Sequence, residues 1–149
     1  MVSLFSGNTA QEVEAQLAAA AVKGRVAVLG DVRLARRLGD AGRDILYIGP
    51  PARGLKRARG LVVVGSPGVL PLADGVLAAL VASGVVELEM WEPFLAECCR
   101  VVEPGGMVVV VDRRAPAELA RRTLCAGLTA IEQRSTGRTV ITAGRWHPL

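Results

Sequence analysis

Three glutamates lie close together in the middle of the chain and are the first candidates for acid–base chemistry. Glu87, Glu89 and Glu92 follow an apolar run that is typical of a buried strand, and open α/β folds bind ligands at the carboxyl ends of such strands. The same carboxylates also suit the start of the helix that should come next, where the helix dipole favours negative charge. We favour this second, structural interpretation of the cluster.

A serine nucleophile finds little support in the sequence. Ser66 and Ser83 each follow a predicted strand, but the only histidine is His147, close to the C-terminus. Because a serine nucleophile needs a histidine within hydrogen-bonding reach, we do not expect a hydrolase triad. Neither a P-loop nor a dinucleotide-binding glycine motif follows the first predicted strand.

The three cysteines do not have the spacing of a metal site. Cys98 and Cys99 are adjacent and Cys125 is distant, whereas zinc sites separate paired cysteines by two to four residues. An odd count without a signal peptide argues against a disulfide framework. We therefore predict buried packing roles for these thiols, no bound metal and a cytoplasmic protein.

The densest basic stretch comprises Arg53, Lys56, Arg57 and Arg59, in a chain whose net charge is only +4. A solvated helix face is the favoured interpretation, and a phosphate- or nucleic-acid-binding patch is the weaker alternative. No apolar run reaches the 18 residues that a membrane span needs, so we expect no membrane association.

Alternating strands and helices are predicted from the hydrophobic pattern. The predicted strands cover residues 25–29, 44–48, 61–64, 76–81, 107–111, 128–133 and 139–143. Because the central strands are wholly apolar, we expect a mostly parallel sheet covered by helices on both faces. The last two strands are close enough in sequence to form an antiparallel hairpin.

The predicted helices begin at recognisable signals. A capping box, Thr9 to Glu12, should start a helix that runs to about Val22, and Asp31 should cap the helix before Gly42. Further helices are predicted after Pro51, over residues 90–102, and from Pro116 to residue 125 or 126. One domain of 149 residues is expected, with an N-terminal helical region (1–23) and a sheet core (24–145).

Four segments give the chain a resemblance to a known family. Residues 69–75 (VLPLADG), 83–87 (SGVVE), 100–106 (RVVEPGG) and 33–38 (RLARRL) are similar in sequence and order to motifs of small-molecule, type 11-like class I S-adenosylmethionine (SAM) methyltransferases. The resemblance spans residues 24–145. It implies a Rossmann-like, mostly parallel seven-stranded sheet with a C-terminal antiparallel hairpin.

The resemblance also implies where the cofactor pocket should lie and how it has changed. Its positions here are Gly30, Asp31, Gly49, Ser66 and Ser83. The family's glycine-rich loop aligns with Val26, Val28, Gly30 and Val32, so that one glycine remains. The family's ribose-binding carboxylate is replaced at Gly49, its adenine-side aspartate at Ser66, and further family residues at Leu77, Ala78 and Leu88.

These replacements lead to an expectation about function. Losing the ribose carboxylate alone should weaken SAM binding by about 100-fold, so we expect a methyltransferase-like protein without SAM or catalysis that acts through a protein partner or itself. A divergent active methyltransferase on a small molecule is the first alternative. An inactive partner subunit of a methyltransferase, or an RNA-binding one, is another. Self-association as a homodimer is expected from Trp91, Phe94 and Trp146, large apolar groups in a chain with 3% aromatic residues.

Overall fold

Seven strands and four α-helices make up the computed structural model, which describes residues 7–49, 62–63 and 69–148. The strands are β1 (Val26–Leu29), β2 (Ile45–Ile48), β3 (Val62–Val63), β4 (Leu77–Ser83), β5 (Val102–Asp112), β6 (Thr129–Thr136) and β7 (Thr139–Arg145). The helices are α1 (Gly7–Ala19), α2 (Val32–Asp40), α3 (Trp91–Val101) and α4 (Pro116–Cys125).

The strands form one sheet in the order β3-β2-β1-β4-β5-β7-β6. The first five pair in parallel, whereas β7 runs antiparallel to both β5 and β6. This arrangement confirms the expected mostly parallel, seven-stranded sheet with its closing hairpin. Strands β1 and β2 are buried at every residue, as their unbroken apolar sequences predict for strands covered on both faces.

Helices cover both faces of the sheet. Successive residues of β1 point to opposite faces, so Val26 and Val28 pack in the cluster that contains Leu17 of α1 and Leu34 of α2. Ala27 and Leu29 pack in the other cluster, which contains Leu95 of α3 and Leu119 of α4. Among the described residues, no helix is long and apolar enough to cross a membrane.

The first helix differs from its prediction at both ends. It begins at Gly7, so the expected capping box at Thr9 is wrong: Thr9 lies inside the helix and is buried, and Glu12 forms an ion pair with Arg134 instead. The helix ends at Ala19, before Val22, because Ala21 adopts a left-handed conformation with φ of 54°. The Val22 amide then donates to the Leu17 carbonyl, which closes the helix end.

The fifth strand also begins earlier than expected. It starts at Val102, directly after α3, so the Pro104-Gly105-Gly106 step predicted as a turn lies within the strand. Val102 pairs with Leu77, and the register then shifts before Met107 pairs with Ala79. Gly106 passes so close to β4 that a Cβ atom there would lie 2.7 Å from the Ala78 carbonyl oxygen.

Several predictions fall on segments that lack a structural description. Of the predicted third strand, residues 62–63 are confirmed, and the remainder lies outside the described residues. The helix predicted after Pro51, with its four basic residues, also lies outside them. The helices predicted from Asp31 and from Pro116 are confirmed.

Candidate functional site

The carboxyl ends of β1 and β4 lie side by side where the strand order reverses, and we call this switch point the crevice. From β1 the chain continues to β2 on one side, whereas β4 pairs with β1 on the other side. Such a switch in direction is where open α/β sheets bind ligands. Leu29 pairs with both Ala82 and Ile48, so Ser83 and Gly49 follow on either side of Gly30, and Asp31 comes next. The fold therefore brings together four of the five residues predicted for the pocket.

Gly30 leaves open space at this crevice. Its φ of +80° is one that L side chains rarely adopt, and among the described residues no heavy atom lies within 4 Å of the position that a Cβ would take. Its amide donates to the Ile48 carbonyl at 3.0 Å, which fixes the turn against β2. A ligand can therefore approach the backbone closely at this point.

Asp31 and Ser83 present unsatisfied polar atoms beside that space. Asp31 caps α2 because its Oδ1 accepts from the Leu34 amide at 3.0 Å. Its other oxygen, Oδ2, is shielded from solvent, as is the Ser83 hydroxyl oxygen, and neither has a hydrogen-bond partner in the described part of the chain. Buried polar atoms are normally paired, so these two are free to bond a polar ligand.

The position that a side chain at Gly49 would take, in contrast, is occupied by Tyr47. A Cβ atom at Gly49 would lie 2.5 Å from the Tyr47 hydroxyl oxygen and 2.9 Å from the ring carbon that bears it. Tyr47 is itself buried, and burial together with the nearby Asp31 charge raises the pKa of its phenol. A carboxylate at position 49 has no room while Tyr47 keeps this position.

The other positions of the predicted pocket lie apart from the crevice or outside the description. Val26 and Val28 are wholly buried inside β1, so they form core rather than loop, and Val32 opens α2. Ser66 lies outside the described residues, as does the basic stretch 53–59. Leu88 is partly buried against the core formed with α3 and α4.

Asp112 is a site residue that the sequence reasoning missed. It ends β5, is 3% exposed, and accepts from the Val85 and Val86 amides at 3.0 and 3.3 Å. Burial, more than any other influence, raises the pKa of its carboxyl to about 6. The sequence does contain a signal for Asp112, because it directly follows four valines, Val108 to Val111. A charged residue after such an apolar run is expected where a buried strand ends, at the edge of the sheet where ligands bind.

The three glutamates do not converge on a reacting position. Glu87 pairs with Arg114 at 2.6 Å, both side chains being exposed, and Glu92 lies in the first turn of α3. This placement agrees with the structural interpretation of the cluster. His147 lies near Gly105, at the amino edge, so it is across the sheet from Ser83 and forms no triad with it.

No group of metal-ligating side chains is found among the described residues. Cys98 and Cys99 are buried, and burial raises the pKa of the Cys98 thiol well above its ordinary value and that of Cys99 to about 11. The prediction that all three cysteines are buried is wrong for Cys125, which is exposed at the end of α4. Cys98 and Cys99 therefore act as small core residues.

The comparisons with known proteins fit this architecture. A sequence profile of the family described as "Methyltransferase domain" matches residues 28–110. No curated protein matches the chain.

Several solved structures share the fold at low sequence identity. A Burkholderia thailandensis 1,6-didemethyltoxoflavin-N1-methyltransferase, solved with its substrate and S-adenosylhomocysteine, has a TM-score of 0.79 at 12% identity, covering 98% of this chain and 82% of that one. A Methanococcus maripaludis protein described as a SAM-dependent methyltransferase has a TM-score of 0.73 at 14% identity, covering 99% of this chain and 89% of that one. A chain from the complex of the Haloferax volcanii Trm112 methyltransferase activator with a protein described as a methyltransferase has a TM-score of 0.71 at 16% identity, covering 96% of each chain.

Proposed function

The chain belongs to the methyltransferase domain family, and we propose that it is a member that has lost tight SAM binding and acts by binding protein. The observation that carries this proposal is the position of Tyr47. Its hydroxyl lies where a side chain at Gly49 would begin, so a ribose-binding carboxylate at this position finds no room while Tyr47 keeps its place. A carboxylate that accepts two hydrogen bonds contributes about 1.5–3 kcal/mol per bond, and its absence removes that affinity.

Isothermal titration calorimetry with SAM and with S-adenosylhomocysteine tests the proposed loss of SAM binding directly. We expect no measurable heat with either compound up to about 1 mM, the concentration that corresponds to about −4 kcal/mol of binding free energy. A dissociation constant in the micromolar range for either compound would overturn the proposal.

A pair of variants tests whether Tyr47 and Gly49 are the cause of weak SAM binding. Tyr47→Val keeps a strand-forming residue in β2 and empties the position, and the double variant Tyr47→Val/Gly49→Asp adds the missing carboxylate. We expect the double variant to bind SAM at least tenfold more tightly than Tyr47→Val alone, because only the double variant can accept from the ribose hydroxyls. Equal affinities of the two would show that the block at position 49 is not what limits binding.

A second copy of the same chain is the proposed protein partner. Strand β6 lies at the edge of the sheet, and six of its eight residues are exposed. If two copies pair antiparallel about Gln133, Glu132 of one copy lies opposite Arg134 of the other, and opposite charges across a strand pair are favourable. The similarity to a chain from an activator complex supports partnering by this fold.

The aromatic residues on which self-association was first expected supply less surface than anticipated. Phe94 is 6% exposed and belongs to the core, so this part of the expectation is wrong. Trp91 is half-buried and lies under the guanidinium groups of Arg121 and Arg122, whose carbons are 5.5 and 5.2 Å from the ring centre. The exposed strand β6 is therefore the better basis for a homodimer.

A divergent active methyltransferase is the second candidate function. The open space at Gly30 and the unpartnered oxygens of Asp31 and Ser83 favour a polar ligand in the crevice. On this hypothesis a small-molecule methyltransferase binds SAM in a pose displaced from Gly49. Mass spectrometry of ligands released from the purified protein separates the two candidates, because co-purified SAM or S-adenosylhomocysteine favours the enzyme.

The cellular compartment follows from the thiols in this proposal. Cys98, Cys99 and Cys125 are all free, and free thiols are usual in reducing compartments. We therefore expect the protein in the cytoplasm, which fractionation of the source cells would test.

A further inference from the structure

A cavity lies on the sheet face that carries α1, between that helix and the β6–β7 hairpin. Its volume is about 490 Å³, and alanines of α1 and of the hairpin form much of its wall. Met107 and Arg145, which pair across β5 and β7, mark its position near the amino edge of the sheet. Ser83 pairs with Val111, four residues further along β5, so along the strand direction the cavity lies roughly 13 Å from the level of the crevice at Gly30.

A buried amide without hydrogen bonds lines this cavity. Gln16 is 6% exposed, and neither the nitrogen nor the oxygen of its side chain has a hydrogen-bond partner within the described ranges. Leaving a buried polar group unpaired is unfavourable, and an apolar residue would fill this place in the core without that cost. A ligand that accepts from the amide nitrogen removes part of the deficit.

An arginine supplies positive charge to the same cavity. The Arg145 guanidinium donates to the Gly105 carbonyl at 2.8 Å and to the Ala20 carbonyl at 3.1 Å, and it forms no ion pair with any described carboxylate. Two bonds use two of its five N–H donors. The remaining donors and the full charge suit a carboxylate, which guanidinium groups bind in a fork geometry.

The remaining charged groups are at the mouth. Glu12 and Arg134 pair with each other at 3.2 Å between α1 and β6, so their charges offset. Glu132 is exposed to solvent, where water and salt screen its repulsion of an anion. The interior is therefore left with one unneutralised cation, one unsatisfied amide and apolar walls of Ala and Met.

We propose that this cavity is a binding site for a small carboxylate with a short apolar body. The carboxylate group bonds to Arg145 and to the Gln16 amide, and the alkyl part packs against Met107 and the alanines. The site is separate from the cofactor crevice, so it does not depend on whether SAM binds there.

Butyrate is the probe that tests this site, with butyramide and butylammonium as size-matched controls at one ionic strength set with sodium chloride. In ¹⁵N-edited NMR spectra, butyrate should shift the side-chain amide signals of Gln16. At ten times its dissociation constant it should raise the melting temperature by about 3 °C. Absence of any shift with butyrate, or equal responses to butyramide or butylammonium, would overturn the proposal.

Two methionine variants on the same helix make the test specific. Gln16→Met removes the amide at similar size, so the free protein should be at least as stable as wild type but should lose the butyrate response. Gln11→Met changes an exposed residue of α1 and should keep the full response. A butyrate response retained in a folded Gln16→Met protein would contradict the assignment of the site.

Discussion

Asp112 shows how a single buried carboxyl links the candidate site to stability. It is held by two backbone amides of the short 3-10 helix Val85–Glu87, so it fixes the turn that leaves β4 at the ligand-binding edge. These two hydrogen bonds and Arg122 favour the ionised form, but burial and the Glu87 charge outweigh them. The carboxyl therefore retains its proton to about pH 6, from an ordinary pKa of 3.8.

The raised pKa predicts that Asp112 disfavours folding at neutral pH. Below about pH 3 the carboxyl is protonated in both states. Between pH 4 and pH 6 the unfolded chain ionises first, so stability falls as the pH rises and then levels off. The quantity to compare is the free energy of unfolding of the wild type minus that of Asp112→Asn. This difference should be about 2 kcal/mol greater at pH 4.5 than at pH 7.5.

Urea denaturation of both proteins across this range measures the difference. The Asn variant keeps an oxygen that can accept from the backbone amides. Because all other titrating groups are the same in both proteins, their contributions cancel in the difference. Parallel stability curves for the two proteins would show that Asp112 has an ordinary pKa.

Residue types alone predicted part of the candidate site. Asp31 was expected to cap α2 and does so, because capping depends on neighbours within one turn. The filling of the Gly49 position by Tyr47 was not predictable, because the strand pattern places Tyr47 in the core without showing which way its ring leans. Contacts between residues distant in sequence, such as Asp112 with Val85, also leave no local signal.

At the scale of elements, Arg100 explains why two of the resembling motifs occur together. From α3 its guanidinium donates to the Leu70 and Leu72 carbonyls, each at 2.9 Å, and to Asp74 at 2.7 Å. Glu97 pairs with Arg100 and also accepts from the Leu70 amide, and the Arg100 hydrogen bond lowers the pKa of its carboxyl. The VLPLADG loop is thus bound to the helix that precedes the Pro-Gly-Gly step.

Arg100→Met should therefore destabilise the protein. Its loss leaves two carbonyls and the Asp74 carboxylate without this donor and leaves Glu97 with the Leu70 amide alone, so we expect the free energy of unfolding in urea to fall by about 2–3 kcal/mol. Arg114→Met is the matched control, since Arg114 forms an exposed ion pair with Glu87 that is worth less than about 1 kcal/mol. Equal losses in the two variants would mean that the loop is held by other contacts.

Helices and strands that depend on residues close in sequence were predicted correctly, whereas boundaries that depend on distant contacts were not. The strands β1, β2 and β4 were found because burial on both faces requires unbroken apolar runs, and α4 because Pro116 suits a first helical turn. The start of α1 was not, since Thr9 and Glu12 match a capping box but are engaged by the core and by Arg134. Strand β5 extends back to Val102 because it pairs with Leu77, a contact across 25 residues of chain.

At the scale of the whole molecule, the fold can persist without a cofactor, because the stability of the fold and the binding of a cofactor depend on different residues. The core comprises the buried faces of the sheet and its helices, whereas the candidate pocket uses residues at the carboxyl edge. Replacing edge residues leaves the core packing unchanged. Family membership therefore predicts this architecture more firmly than it predicts an activity.

Self-association through β6 is the prediction that belongs to this scale. Light scattering should give a mass twice the 15.6 kDa of the chain, because pairing covers an exposed edge that would otherwise remain open. Glu132→Arg places like charges opposite each other in the proposed pairing and should yield monomers. The charge exchange Glu132→Arg/Arg134→Glu restores opposite charges across the strands and should restore the dimer. A monomeric wild-type mass, or a double variant that stays as monomeric as Glu132→Arg, would exclude this interface.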